Sequence, residues 1–209
     1  MKRHLKSTQI IEPKSRAIIY GHGRGWVFTP RDLTQLGDPR SVGMALTRLS
    51  RKGVIRQLVR GLYDFPRRHR QLGLLSPTPD AIARALAGRD STRVQPSGGY
   101  AANQLGLSDQ VPMKVVFLTD GFSRKVTVGN QQIVLKRTTP RNMVTAGRVS
   151  GLVIQALRWL GQRHVDDSVV RILSNRLSPD DKKQMLKDLK YAPAWVASIM
   201  RRVAQSKGN

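Results

Sequence analysis

The chain has 209 residues, 39% of them apolar, with 37 Lys/Arg against 13 Asp/Glu and no cysteine, for a formal net charge of +24. That length holds one large or two small domains, and the apolar fraction suffices for a buried core, which excludes a disordered basic tail. The absence of cysteine removes disulfides, thiolate metal sites and Cys nucleophiles, and a field this positive points to polyanionic partners.

Residues 7–20 read as a first helix, with Ile10, Ile11, Ala17, Ile18 and Ile19 apolar and Pro13 confining its regular part to the residues beyond it. Gly21-His22-Gly23-Arg24-Gly25 is a basic loop that leads into a short strand at Trp26-Val27-Phe28. No Gly-Lys-Ser/Thr signature succeeds it, so a nucleotide cofactor is not expected. Thr29-Pro30-Arg31-Asp32-Leu33-Thr34-Gln35-Leu36-Gly37 predicts a short helix with a Thr cap, Pro in the first turn and Gly at the end. A second helix comes after a tight turn. Asp38 is its N-cap, Pro39 occupies the position where a missing N–H costs nothing, and Gly53 closes it in the left-handed conformation. Val42, Ala45, Leu46 and Leu49 recur at the spacing of one buried face, and Arg40, Met44, Thr47, Arg48 and Arg51 fall opposite.

Residues 54–58 and 62–65 flank Val59-Arg60-Gly61 as a strand, turn and strand. Helix, turn, helix and hairpin in this order predict a winged helix-turn-helix, a module whose second helix enters the major groove. Pro66-Arg67-Arg68-His69-Arg70-Gln71 then reads as a solvated basic run that begins a linker and is placed to meet a phosphate backbone. The expected domains are 1–72 and 76–209, with Pro77-Thr78-Pro79 at the boundary. The first 75 residues carry 16 Lys/Arg against 4 acids, residues 76–150 carry 10 against 4, and residues 151–209 carry 11 against 5. The excess is densest around the expected wing.

The second half restarts with a helix from Asp80. A strand at Arg93-Val94-Gln95, a small-residue helix over 97–106 and strands at 113–118, 125–128 and 132–137 come next. These strands read as an antiparallel meander. Helices over 149–160, 180–189 and 193–203 form a C-terminal helical tail, so the expected fold class is α+β: a winged module, then a small mixed α/β domain.

Gly61-Leu62-Tyr63, then Ser97-Gly98-Gly99-Tyr100-Ala101-Ala102-Asn103-Gln104-Leu105-Gly106-Leu107-Ser108 and Gln110-Val111-Pro112, in that order, resemble the AbiEi-type antitoxins of the DUF6088 family over about residues 10–148. The resemblance implies a bacterial transcriptional repressor of its own operon. Its winged domain would bind promoter DNA, and its C-terminal domain would be needed to neutralise a nucleotidyltransferase-like toxin of the AbiEii type. Carried over by position, DNA reading falls on Arg40, Ser41, Met44, Thr47, Arg48 and Arg51, and the wing role on Arg56 and Arg60. Arg67 and Arg68 join them as backbone contacts from the basic run. The Ser97–Pro112 stretch takes a structural reading, in which glycines permit unusual backbone angles and alanines permit close packing.

Catalysis is not expected. Asp80 could imitate the first acid of a restriction-type nuclease site, but the matching acid would have to stand at Val134, ahead of Leu135-Lys136. Asp180-Asp181 is explained as first-turn charge at a helix start, and His4, His22, His69 and His164 lack metal-ligand spacing. An RNA-binding or nucleoid-associated protein is the alternative of another class. Against RNA stands an aromatic content of 5%, with Trp26, Phe28, Tyr63 and Phe65 at positions a winged core would bury. No apolar signal core succeeds the basic start and no run of 18 apolar residues occurs, so a cytoplasmic protein with no membrane partner is expected.

Overall fold

The computed structural model describes residues 7–88 and 92–206, and the chain divides into two compact units between Ser91 and Thr92. Both are mixtures of helices and small sheets, a mixed α+β fold.

The first unit begins with α1 (Ser7–His22), which runs through Pro13 rather than starting after it. Pro13 is exposed, on the outer side of the helix. β1 (Val27–Phe28) leads into a 3-10 helix at Pro30–Leu36, whose start is tied by the Thr29 N–H and hydroxyl to Asp32 Oδ2 at 2.8 and 3.0 Å. A Cβ at Gly37 would stand 2.7 Å from Ile11 Cδ1, so glycine lets the chain turn close to α1 without displacing that side chain. α2 (Pro39–Arg51) then lays Val42, Ala45, Leu46 and Leu49 into a core shared with Ile11, Ile19, Phe28, Leu33, Ile55, Tyr63 and Phe65. β2 (Arg56–Val59) and β3 (Leu62–Asp64) pair antiparallel, and β3 is the central strand of the order β1-β3-β2.

Two expectations change here. The basic run after Phe65 is not a linker: β4 (Arg68–His69) and β5 (Gly73–Leu74) form a second hairpin. Its tip is folded by His69 Nδ1, which accepts from the N–H groups of Gln71 and Leu72, and its base is closed by Leu75 N–H on Arg67 O at 2.9 Å. The boundary also lies later than the expected 72–76. α3 (Pro79–Ala87), capped by the Thr78 hydroxyl, packs on β1 and so belongs with the first unit.

In the second unit β6 (Val94–Ser97) leads directly into α4 (Gly98–Gln104), and β7 (Lys114–Thr119), β8 (Arg124–Val128) and β9 (Gln131–Arg137) complete a sheet of order β6-β7-β9-β8. The expected antiparallel meander is corrected: β9 lies between β7 and β8 and runs parallel to β7. Burial explains the order. β7 and β9 carry the buried Val115, Phe117, Ile133 and Leu135 and take the centre, while β8, which buries no residue and carries Arg124 and Lys125, takes an edge.

α5 (Pro140–Met143) precedes α6 (Val149–Leu160), which packs on α4 through Ala101 and Ala102. A Cβ at Gly151 would lie 2.3 Å from the Thr145 carbonyl oxygen and 2.6 Å from Gln95 Oε1, so α6 seats here only on glycine. α7 (Asp167–Arg176), α8 (Pro179–Lys187) and α9 (Ala194–Gln205) finish the core with Leu173, Met185, Val196 and Met200. Asp188, 2% exposed, ties α8 to the start of α6 by accepting from Arg148 Nη1 at 2.8 Å, from the Ser150 hydroxyl and from Gln184 at 3.1 Å. The Ser97–Pro112 stretch thus forms a strand end, a packed helix and a turn. No helix among the described residues is long and apolar enough to cross a membrane.

Candidate nucleic-acid interface

α2 is stopped and started by its own sequence. Asp38 accepts from the N–H groups of Arg40 and Ser41, each at 3.0 Å, and Gly53 stands at φ +67° beyond the last turn. The Ser41 hydroxyl first, together with these N–H groups, holds the Asp38 carboxyl below the usual carboxylate range. Because the helix end is fixed locally and its apolar stripe is sunk in the core, the opposite stripe has one defined orientation. Arg40, Met44, Thr47, Arg48 and Arg51 are all exposed on it. Among the described residues, none of Arg40, Arg48 and Arg51 has a carboxylate partner, whereas the neighbouring Lys52 is paired with Glu12.

Two of the expected contact residues are employed elsewhere. Ser41 is 6% exposed, and its N–H serves the Asp38 cap, so it lies off the open stripe. Arg56 is bound into the fold: Nε and Nη2 meet the two carboxylate oxygens of Asp64 at 3.1 and 2.6 Å, and Nη2 also donates to Leu75 O at 2.9 Å. This bond to Asp64 raises the Arg56 pKa further, so the guanidinium is charged at every relevant pH, but its fork is turned inward. Arg56 therefore fixes the base of both hairpins. The signal was present in the sequence, since Arg56 and Asp64 are directly opposed across β2 and β3 and form an opposite-charge pair.

Arg60, in the β2–β3 turn beside Gly61, and Arg68, on β4, are exposed and without a carboxylate partner among the described residues. Arg67 is divided. Its Nε donates to Arg24 O at 3.3 Å and its stem lies on Gly25, while Arg24 returns a bond to Pro66 O at 3.0 Å and stands over the Phe65 ring. Sequence reasoning did not find this clasp, which depends on residues 42 and 43 positions apart. Trp26, half-buried, stacks on Phe28 and Phe28 on Tyr63; Phe28, Tyr63 and Phe65 are buried, so these last three are unavailable for stacking on bases.

Chemically, this arrangement can bind anions and donate hydrogen bonds. Arg forks match phosphate oxygens and guanine edges alike. Among the described residues no group of three or more His, Asp or Glu gathers as a metal site.

The profile of DUF6088, a family of unknown function, matches residues 14–185. Among curated proteins none matches. Among solved structures, the crystal structure of the RV2827C protein from Mycobacterium tuberculosis is similar at 18% identity and a TM-score of 0.44, covering 92% of this chain and 78% of that chain.

Proposed function

The chain belongs to the DUF6088 family, and from that premise and the site we propose that it is a DNA-binding antitoxin whose first unit is a winged helix-turn-helix. α2 is the recognition helix, Arg60 sits on the wing, and Arg67 and Arg68 contact the phosphate backbone. The observation that carries the reading is the bare cationic stripe of α2, where three arginines stand exposed without acidic partners among the described residues, beside a hairpin that ends in Arg60. A helix with one sunken face and an exposed basic stripe is compatible with entry into a major groove. The chain is read as a repressor of its own operon, acting in the cytoplasm, with no catalytic role of its own. Opposition to a nucleotidyltransferase-like toxin rests on the sequence resemblance.

The test is competition at one moderate salt concentration between a duplex carrying the promoter of the chain's own operon and an RNA hairpin of similar length. The duplex is expected to win. Preference for the hairpin would replace the DNA reading with the RNA-binding alternative. Co-expression with a nucleotidyltransferase toxin of the AbiEii type tests the antitoxin role, for which rescue of growth is expected.

A further inference from the structure

Resting on α2 as the DNA-contacting helix, we propose that Met44 reads the C5-methyl group of a thymine, set between contacts made by Arg40 and Arg48. Residues 40, 44 and 48 succeed one another at the i, i+4 spacing that aligns side chains along a helix, about 6 Å apart along the axis. Met44 stands in the middle of this cationic line and is 40% exposed. Its helix propensity does not explain it, because Lys or Gln would serve as well at a solvated position.

Between the two arginines the stripe also offers no free hydroxyl donor. The Thr47 hydroxyl donates to Gly43 O at 2.9 Å, so its one donor is spent inside the helix. Gly43 has open space where a Cβ would be, and a mid-helix glycine costs about 1 kcal/mol relative to alanine. Here that bare position lets a partner approach the backbone next to Met44. The patch is therefore apolar and shallow, with guanidinium groups on both sides along the axis.

Duplex DNA matches this pattern. Its rims are anionic, and the major-groove edge of thymine carries the apolar methyl that the other bases lack. A thioether is only a weak acceptor, so it gains little from the amino and carbonyl groups of the remaining edges.

The test uses the full chain and a duplex pool with a randomised core. Enriched duplexes are remade with deoxyuridine at single thymines, which deletes the methyl and nothing else. At one or more positions the replacement is expected to weaken binding about fourfold, the worth of one methyl taken from water. Met44→Ala should bind the thymine duplex more weakly by a similar factor and be indifferent to the replacement, while Met44→Leu should keep the discrimination. Indifference of the wild-type chain to every methyl, or an undiminished uridine penalty in Met44→Ala, overturns the inference alone. A pool that enriches no sequence overturns the DNA reading and the inference together.

Discussion

α2 and α6 are helices of similar length that the chain uses in opposite ways. α2 buries one stripe and leaves the other to solvent, with Arg40, Arg48 and Arg51 unpaired by any carboxylate among the described residues. α6 buries Ser150, Gly151 and an unbroken run from Val153 to Leu157, and the arginine at its start, Arg148, is paired with Asp188. Residues 1–91 carry 18 Lys/Arg against 6 acids and residues 92–209 carry 19 against 7, so net charge does not distinguish the two units. What differs is where the charge stands. A helix that packs all round supports a core, and a helix half bare and unpaired is free to meet a partner.

Four changes probe that contrast. The largest effect is expected from Arg56→Ala, which strands the buried Asp64 carboxylate. Leaving one partner of a buried ion pair uncompensated costs about 3 kcal/mol or more, and denaturant unfolding of the first unit should show it. A loss within a few tenths of a kcal/mol would mean that Arg56 is free to act at the surface after all. Next is Gly151→Ala, where the new methyl meets a backbone carbonyl. Overpacking of this kind costs about 1–3 kcal/mol, and thermal unfolding of the second unit should record it while DNA affinity stays unchanged.

Replacing Arg67, Arg68 and Arg70 by Ala should weaken operator and random duplex alike and flatten the slope of log K against log salt by about 0.9 for each phosphate no longer neutralised. An unchanged slope would remove the second hairpin from the backbone. The smallest effect concerns Asp38, whose pKa is lowered in the folded state. Stability from a depressed carboxylate is present above its unfolded pKa and is lost as pH falls through the folded value, so it should decline below about pH 4. Asp38→Asn keeps an acceptor at the cap without the charge and should remove that part of the pH dependence. A pH profile identical to wild type would show that the carboxylate's charge contributes nothing there.

α2 was legible in the sequence because its signals are local. Asp38, Pro39 and Gly53 mark its ends within 16 residues, and its stripes arise from spacing alone. The sheet of the second unit was legible strand by strand, though its order was not. Placing β9 beside β7 depends on which strands bury most, a choice made across the whole unit. The second hairpin was missed because two-residue strands carry almost no periodic signal, and its base is held by Arg56 from 19 residues away. The exposed stripe of α2 was legible from helical phase. Position alone places Ser41 and Arg56 among the expected contacts, and the structure engages the Ser41 N–H with Asp38 and the Arg56 fork with Asp64.

If the bare stripe of α2 reads sequence rather than charge, its arginines must discriminate between duplexes. Affinities of the wild-type chain, Arg48→Ala and Arg51→Ala for operator and for random duplex, all at one salt concentration, test it most directly. Each substitution is expected to lower operator affinity by about 1–3 kcal/mol and to leave random-duplex binding nearly intact, a gap that backbone contacts cannot produce. Equal losses on both duplexes would contradict it.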